Sequence, residues 1–475
     1  MEEKEADDHE RGDRMQEKEE ESHEREGNVW SATAHVVTAV IGSGVLALAW
    51  SVAQLGWVVG PTVLMGFAWV TYYTSTLLAD CYRCPHPITG TRNRTYMDAV
   101  RSYLGPTEVL MCGIAQYANL WGAMLGYTIT AAASMMAVKR SNCFHRNGHS
   151  AKCNASGNLF MMVFGASEIF LSQLPSLEKI TWLSVAAAVM SFAYSFIGLC
   201  LSVVKLASHG EFKGSLAGAG TGINGVTAST KTWHVLQALG NIAFAYTFAE
   251  VLIEIQDTLK SPPPENKTMK KASMCGIGLT TAFYLSLGCI GYAAFGDNAP
   301  GNILTGFGFY EPFWLVDIAN LCIVLHLLGA YQVYAQPIFA SAEKCIASKW
   351  PQAEFIHTIY TFRLPFAKAT SLSLTLSTLI LRSIFIAFAT LVAMLFPFFN
   401  AILGLLGALS FWPLTVYFPV SMYMVQAKIT RGMPKWVLLQ GLSFICLAVS
   451  LLASIGSVTD IVESLKHATP FQTHY

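Results

Sequence analysis

From residue 28 onward, apolar stretches of spanning length follow one another with short polar interruptions. An α-helix needs about 20 apolar residues to cross a bilayer. Stretches of that order run Val29–Gln54, Trp57–Tyr82, Val109–Val138, Asn158–Leu174, Ile180–Leu206, Trp233–Leu259, Met274–Phe295, Phe313–Phe339, Leu374–Phe396, Phe398–Val425 and Trp436–Ile455. The pattern predicts an all-α integral membrane protein with about 11 transmembrane helices. The connections are short, so residues 28–475 read as one transmembrane domain with no soluble catalytic domain.

Two stretches are interrupted. His35 to Trp57 reads HVVTAVIGSGVLALAWSVAQLGW, with Gly42-Ser43-Gly44 near its middle. Glycine costs a helix about 1 kcal/mol against alanine, so the triplet invites unwinding. In hydrocarbon, unwound backbone is tolerated only where it is buried in protein or lines a cavity. Free N–H groups at the start of the second half-helix would then receive a carboxylate at the positive end of its dipole. A small-residue patch for close helix packing accounts for the same triplet. The sixth stretch, VLQALGNIAFAYTFAEVLIEIQDTLK, places Gly240-Asn241 upstream of Phe244-Ala245-Tyr246. Asn241 is its polar break candidate, and Pro262-Pro263-Pro264 ends it. Broken helices 1 and 6 are what inverted five-helix repeats of the LeuT-like kind produce. Such folds hold substrate at mid-membrane, with amides toward a carboxylate and carbonyls toward an ammonium. An α-amino acid has that polarity.

Composition agrees with a membrane protein: 53% of residues are apolar and 13% are charged. The net charge is zero, so no bulk field argues for nucleic acid. Residues 1–27 hold 13 acids and five bases with almost nothing apolar, which predicts a disordered acidic tail. That tail has no apolar core or cleavage site and is not a signal peptide. With the N-terminus in the cytoplasm, the inner connections carry about sixteen Lys and Arg and the outer segments about eight. The C-terminus then lies outside. One outer loop runs against the charge rule with Lys139, Arg140, Arg146 and Lys152, but it also contains Cys143, Cys153 and the sequon at Asn154. Cysteines beside a sequon suit an oxidising, glycosylating side. The sequons at Asn93 and Asn266 fall inside and are expected to be silent.

Ionisable residues within the apolar stretches are few. They are His35, Glu168, Glu250, Glu254, Asp257, Asp317, His326 and Arg382. Charges in hydrocarbon are functional or paired. Glu250 and Glu254 lie one turn apart on one face, where two anions repel, an arrangement suited to carrying a proton. Asp257, near the helix end, is alternatively a partner of Lys260. His35 and His326 lie on the first and eighth helices, which approach one another in inverted-repeat folds, and a titrating imidazole there could replace a metal ion with a proton. Cys81-Tyr82-Arg83-Cys84 has zinc-like spacing but no second pair. The segment GSLAGAGTGING lacks a strand–turn–helix setting and reads as a flexible connector. No nucleophile–base arrangement points to an enzyme, and no cofactor or metal is implied.

Several blocks are specific. AHVVTAVIGSGVLALAWSVAQLGW, KRSNCFHRNGH, IAFAYTF, VLIEIQDTLKSPPPENKTMKKAS, YAAFGDNAPGNILTGFGFYEPFWL and HLLGAYQVYAQPIF resemble the plant amino acid permeases of the amino acid/auxin permease family, from about Asn28 to the C-terminus. The resemblance implies a fold related to the amino acid–polyamine–cation superfamily. It also implies proton-coupled amino acid uptake, usually at the plasma membrane. The family's unwound motif falls on Ile41, Gly42, Ser43 and Gly44, its histidines on His35 and His326, and its outer-loop cysteines on Cys143 and Cys153. Many members have aspartate at the position of Asn241 and a small polar residue at that of Glu250.

The resulting expectation is a proton–amino acid symporter working by alternating access, with an amino acid, protons and the lipid bilayer as its partners. Gly42, Ser43 and Gly44 would hold the carboxylate. Carbonyls around Phe244 and Ala245 would accept from the ammonium, and Phe244, Tyr246, Tyr117 and Asn119 would form the pocket wall. His326, His35, Glu250 and Glu254 are the proton-coupling candidates. Rival readings are a carrier of another small acid such as auxin, a sodium-coupled carrier and a non-transporting amino acid sensor.

Overall fold

The computed structural model describes residues 25–173, 181–220, 227–308, 312–352, 354–363 and 371–467. Most of the predicted acidic tail therefore lies outside the described residues, as does the end of the glycine-rich segment.

The first apolar stretch is divided. Helix α1, Val29–Val40, starts on a capping box: the Asn28 side chain accepts from the Trp30 and Ser31 amides at 2.9 and 3.1 Å, and Ser31 Oγ accepts from the Asn28 amide at 2.8 Å. The chain then leaves the helix at Ile41 and Gly42, tightens into one 3-10 turn over Ser43–Ala47 and resumes as α2, Leu48–Asp80. Inside α2, Gly56 takes φ 82°, a left-handed conformation that turns the chain before Trp57. A side chain there would meet the Ala217 backbone at 2.8 Å.

The remaining helices are α3, Tyr96–Tyr103; α4, Pro106–Asn147; α5, Gly157–Ser172; α6, Thr181–His209; α7, Ala228–Ala245; α8, Ala249–Asp257; and α9, Glu265–Phe295. They continue as α10, Phe313–Lys349; α11, Glu354–His357; α12, Leu376–Leu395; α13, Phe399–Ser410; α14, Phe418–Gln426; and α15, Pro434–His467. A wide π-type turn over Phe411–Tyr417 joins α13 to α14 around Pro413, which has no N–H to donate. Two antiparallel hairpins lie outside the bundle. In one, β1, Arg83–Cys84, faces β2, Thr91–Arg92; in the other, β3, Ile359–Arg363, pairs with β4, Ser371–Thr375. Among the described residues, nine spans are long and apolar enough to cross a membrane, and Val29–Val40 and Gly157–Ser172 are shorter apolar helices.

The second interruption is real but lies further along than Asn241. Gly240 and Asn241 sit within continuous α7, and the chain leaves the helix only over Tyr246–Phe248, where Phe248 takes φ −142° and ψ 2°. Packing accounts for the difference. A Cβ on Gly240 would lie 2.8 Å from the Gly404 carbonyl carbon, and a Cβ on Gly407 would lie 2.5 Å from the Phe244 amide nitrogen. Small residues thus bring α7 and α13 into backbone contact, and the contact holds α7 straight through Asn241.

The glycine-rich segment also differs from expectation over its described part. Residues 214–220 are packed on the turn in α2 rather than free as a connector. Trp57 N–H donates to the Ser215 carbonyl at 3.2 Å, Ala219 N–H to the Ala53 carbonyl at 2.9 Å, and Ser215 N–H to the Tyr292 hydroxyl at 2.7 Å. The Trp57 ring stacks on Phe212 with centroids 4.9 Å apart.

At the opposite end, the segment before α1 is tied to the end of α8. Gly27 N–H donates to the Thr258 carbonyl at 3.1 Å, and Lys260 N–H to the Gly27 carbonyl at 3.0 Å. Asp257 pairs with Arg25 at 3.0 Å and accepts from the Tyr82 hydroxyl at 2.5 Å, so these two residues take the role expected of Lys260. Arg83 and Glu265 form a largely buried ion pair at 2.6 Å, and Lys270 reaches Asp80 at the same distance.

Cys143 and Cys153 lie at disulfide distance, with Cα atoms 5.8 Å apart, and Asn154 beside them is exposed. A bridge there closes a loop of about eleven residues and contributes about 3 kcal/mol by chain entropy. Impermeant thiol reagent on intact cells is expected to label these cysteines only after reduction. Labelling that instead requires permeabilisation would contradict an outside placement. Gly407→Val, which overpacks the α7–α13 contact, is expected to cost about 1–3 kcal/mol in thermal unfolding of the purified protein. Gly441→Val serves as the comparison, since an added Cβ there meets nothing within 4 Å. Equal stability of the two variants would count against the close contact.

Candidate substrate cavity

The two interruptions face one another. Gly44 lies against the end of α7, where an added Cβ would meet Ala245 Cα and Phe244 Cδ1, both at 3.1 Å. Gly42, two residues earlier, has open space where a side chain would go and lines a cavity of about 260 Å³. The triplet therefore combines both sequence readings: Gly44 serves close packing, and Gly42 opens onto the cavity.

Backbone groups concentrate at this crossing. The 3-10 turn makes its first hydrogen bond from the Val45 amide to the Gly42 carbonyl, so the Ser43 and Gly44 amides lie ahead of it. The buried Ser43 hydroxyl has no hydrogen-bond partner among the described residues. On the other side, α1 and α7 end with carbonyls that cannot continue their helices. The Tyr284 hydroxyl, from α9, lies 2.6 Å from the Val40 carbonyl oxygen and 3.1 Å from that of Ala245. One hydroxyl hydrogen can serve only one of them at a time. Tyr284 thus joins the two half-helices at their breaks.

The cavity runs from this crossing between α1 and α8. His35, Thr38, Ala39 and Gly42 form its α1 wall at i, i+3, i+4 and i+7, a single helical face. Thr247, Phe248, Glu250, Val251 and Ile255 form the facing wall. Tyr127 on α4, Ala187 and Ala188 on α6, and His326, Gly329, Ala330, Val333 and Tyr334 on α10 complete it. Tyr127 and Tyr334 meet edge to face with centroids 5.4 Å apart. His326 is buried, and its Nδ1 lies 2.8 Å from the Ala187 carbonyl oxygen. A carbonyl only accepts, so Nδ1 carries the hydrogen in this bond and Nε2 remains for other partners.

Several expected residues are placed differently. Tyr246 is fully buried, but its hydroxyl reaches Thr281 at 3.2 Å and its ring packs on Tyr284, which turns it toward α9 and away from the cavity. Phe244 packs against Gly44 and the α13 side, and neither it nor Tyr117 lines the cavity. The Ala245 carbonyl is engaged by Tyr284. Ile41 is buried at the break itself. Asn119 stands behind the wall and donates from Nδ2 to Glu250 Oε1 at 2.9 Å. Glu254 is exposed one turn beyond Glu250 and does not line the cavity. His35, by contrast, shares the cavity with His326 from an exposed position.

Sequence reasoning missed Thr38, Tyr127, Tyr334, Thr247 and Tyr284. The helical spacing from His35 to Gly42 could have found Thr38. No local pattern marks Tyr284, one of two tyrosines in the long helix α9.

The arrangement has relatives at two levels. The family model for transmembrane amino acid transporter proteins matches residues 25–463. Amino acid permease 8 of Arabidopsis thaliana is 55% identical over 94% of this chain and 94% of its own length, and Amino acid permease 6 of the same plant is 53% identical over 98% and 97%. Among solved structures, MhsT in complex with L-phenylalanine aligns with a TM-score of 0.53 at 10% identity, covering 90% of this chain and 98% of MhsT. The inward-facing conformation of Mhp1 aligns at 0.50 and 14%, covering 95% and 93%. These two likenesses are of fold alone. The chain is an integral membrane protein of the transporter class, with the fold those structures share. It belongs to the transmembrane amino acid transporter family.

Tyr284→Phe removes the hydroxyl that the two breaks share; the Val40 carbonyl keeps the Gly42 amide at 3.0 Å, but the buried Ala245 carbonyl loses this donor, at a cost of about 1–3 kcal/mol. The expected outcome is a lower unfolding temperature in detergent together with reduced uptake. Tyr246→Phe, which loses only a hydroxyl-to-hydroxyl contact, is expected to change both less. Unaltered stability and uptake in Tyr284→Phe would count against the role assigned to it.

Proposed function

We propose that this protein is a proton-coupled amino acid symporter that imports its substrate by alternating access. The observation that carries the reading is the cavity opening from the crossing of two interrupted helices. At that crossing, amides of Ser43 and Gly44 can receive a carboxylate, and the terminal carbonyls of α1 and α7 can accept from an ammonium. The permease names of the plant relatives favour an amino acid over other small acids.

On this reading the chain crosses the membrane eleven times, because α1 with the start of α2 makes one crossing and α7 with α8 another. Inverted five-helix repeats fit the packing: α2 lies on α9, its part after Gly56 reaching Asn266 and Lys270 through Asp80, α4 lies on α10, and α5 on α12, each a pair five crossings apart. Loop charges favour a cytoplasmic N-terminus. The cavity then opens inward, since it runs from Gly42 toward the joined ends of α1 and α8, where His35 is exposed. The packed residues 214–220 cover the outer side. The plasma membrane is the proposed location, with Asn154 available for glycosylation outside.

We assign the proton to His326, with His35 as its gate. Both imidazoles face the cavity, and His326 retains a nitrogen beyond its bond to Ala187. Inward proton movement would add the membrane voltage to the gradient, about 2.3 kcal/mol per charge for each 100 mV. Substrate-evoked current in voltage-clamped cells is expected to be inward, to grow as external pH falls and to persist when choline replaces sodium. His326→Ala is expected to flatten the pH dependence rather than only lower the rate. A wild-type current that vanishes without sodium would overturn proton coupling, and a full shift of reversal potential with pH in His326→Ala would acquit that residue.

A further inference from the structure

Glu250 stands in the first turn of α8, on the cavity wall facing α1. It is only 7% exposed. Asn119 Nδ2, from α4, donates to its Oε1 at 2.9 Å and fixes the plane of the carboxylate. The other oxygen, Oε2, is buried and has no hydrogen-bond partner among the described residues. Among the described residues, no lysine or arginine lines the cavity. The other polar side chains there are His35 and Thr38 from α1, His326 and Tyr334 from α10, Tyr127 from α4 and Thr247 beside α8. A buried carboxylate with a bare oxygen and no countercharge is costly unless something brings a donor to it.

We propose that Glu250, oriented by Asn119, is the specificity-determining residue for amino acids whose side chain ends in a cation. This rests on the amino acid reading above and names the substrate class for the same cavity. The α-carboxylate and α-ammonium would engage the backbone at the crossing, which leaves the side chain to extend along the cavity. An ammonium brings three donors and a guanidinium five, and neither needs an acceptor in return. Glu250 Oε2 is an acceptor of that kind, set at the positive end of the short helix α8. An apolar side chain leaves it unpaired, and an acidic one would place a second anion against it.

Lysine and norleucine share a carbon chain and differ by the terminal amine. In proteoliposomes holding the full-length protein, each is used to compete against radiolabelled lysine. Lysine is expected to compete about tenfold to a hundredfold more strongly, the range for a hydrogen bond to a charged group. In Glu250→Gln the preference is expected to fall to near unity, while Glu250→Asp keeps part of it. Equal competition by the two compounds in the wild-type protein sinks the proposal without any variant. So does a lysine preference that survives in Glu250→Gln, or a loss of both substrates alike with the protein still in the membrane. If neither compound binds the wild-type protein, this proposal falls, and the amino acid reading falls with it only if a panel of neutral and acidic amino acids also fails to bind.

Discussion

Backbone released from a helix within hydrocarbon must find its partners inside the protein. Everything near the cavity follows from how this chain meets that requirement. The released carbonyls of Val40 and Ala245 converge on a single hydroxyl, that of Tyr284, because Gly44 lets the two half-helices touch at van der Waals distance. The Ser43 and Gly44 amides on the other side of the break lie ahead of the first hydrogen bond of the 3-10 turn. The crossing therefore presents amides on one side and, on the other, carbonyls that share a single hydroxyl. On the proposed reading, that polarity makes it a site and not only a kink.

The surroundings keep the crossing in place. Glycines 240, 404 and 407 bring α7 against α13, so the longer of the two half-helices is fixed to a neighbour along its backbone. The packed turn of residues 214–220 clasps the bend at Gly56, and the ion pairs of Asp257, Glu265 and Asp80 gather the opposite ends of α2, α8 and α9. Buried or partly buried pairs like these lose much when one partner is removed, which suits contacts that define an end of the bundle. The shorter half, α8, is held by the bridge from Gly27 to Thr258 and Lys260, so the chain ahead of α1 and the end of α8 are coupled through backbone.

Much of this was legible in the order of residues. Apolar stretches of spanning length set the order of the long helices, and the glycine triplet marked the first interruption, because helix length and glycine's weak helix propensity are local properties. The face from His35 to Gly42 follows from helical period alone. The family blocks carried the class of protein, and the likeness to permeases bore that out.

What stayed hidden depended on contacts between distant segments. Asn241 looks like a break in isolation, yet packing on α13 keeps it helical and moves the interruption to Tyr246–Phe248. Tyr246 has the right position for a pocket wall, but a neighbouring hydroxyl on Thr281 turns it away, while Tyr127 and Tyr334 arrive from helices far off in sequence. Glycines 214 to 220 read as a flexible link because their partners, Trp57, Ala53 and Tyr292, lie elsewhere in the chain. The sequence alone determined which segments enter the membrane and where helix propensity is weakest, since both are sums over neighbouring residues. Only the tertiary structure decided which weak points open, which side chains face the cavity and which carboxylate is left without a partner, because burial and pairing are properties of surfaces that meet only once the helices pack.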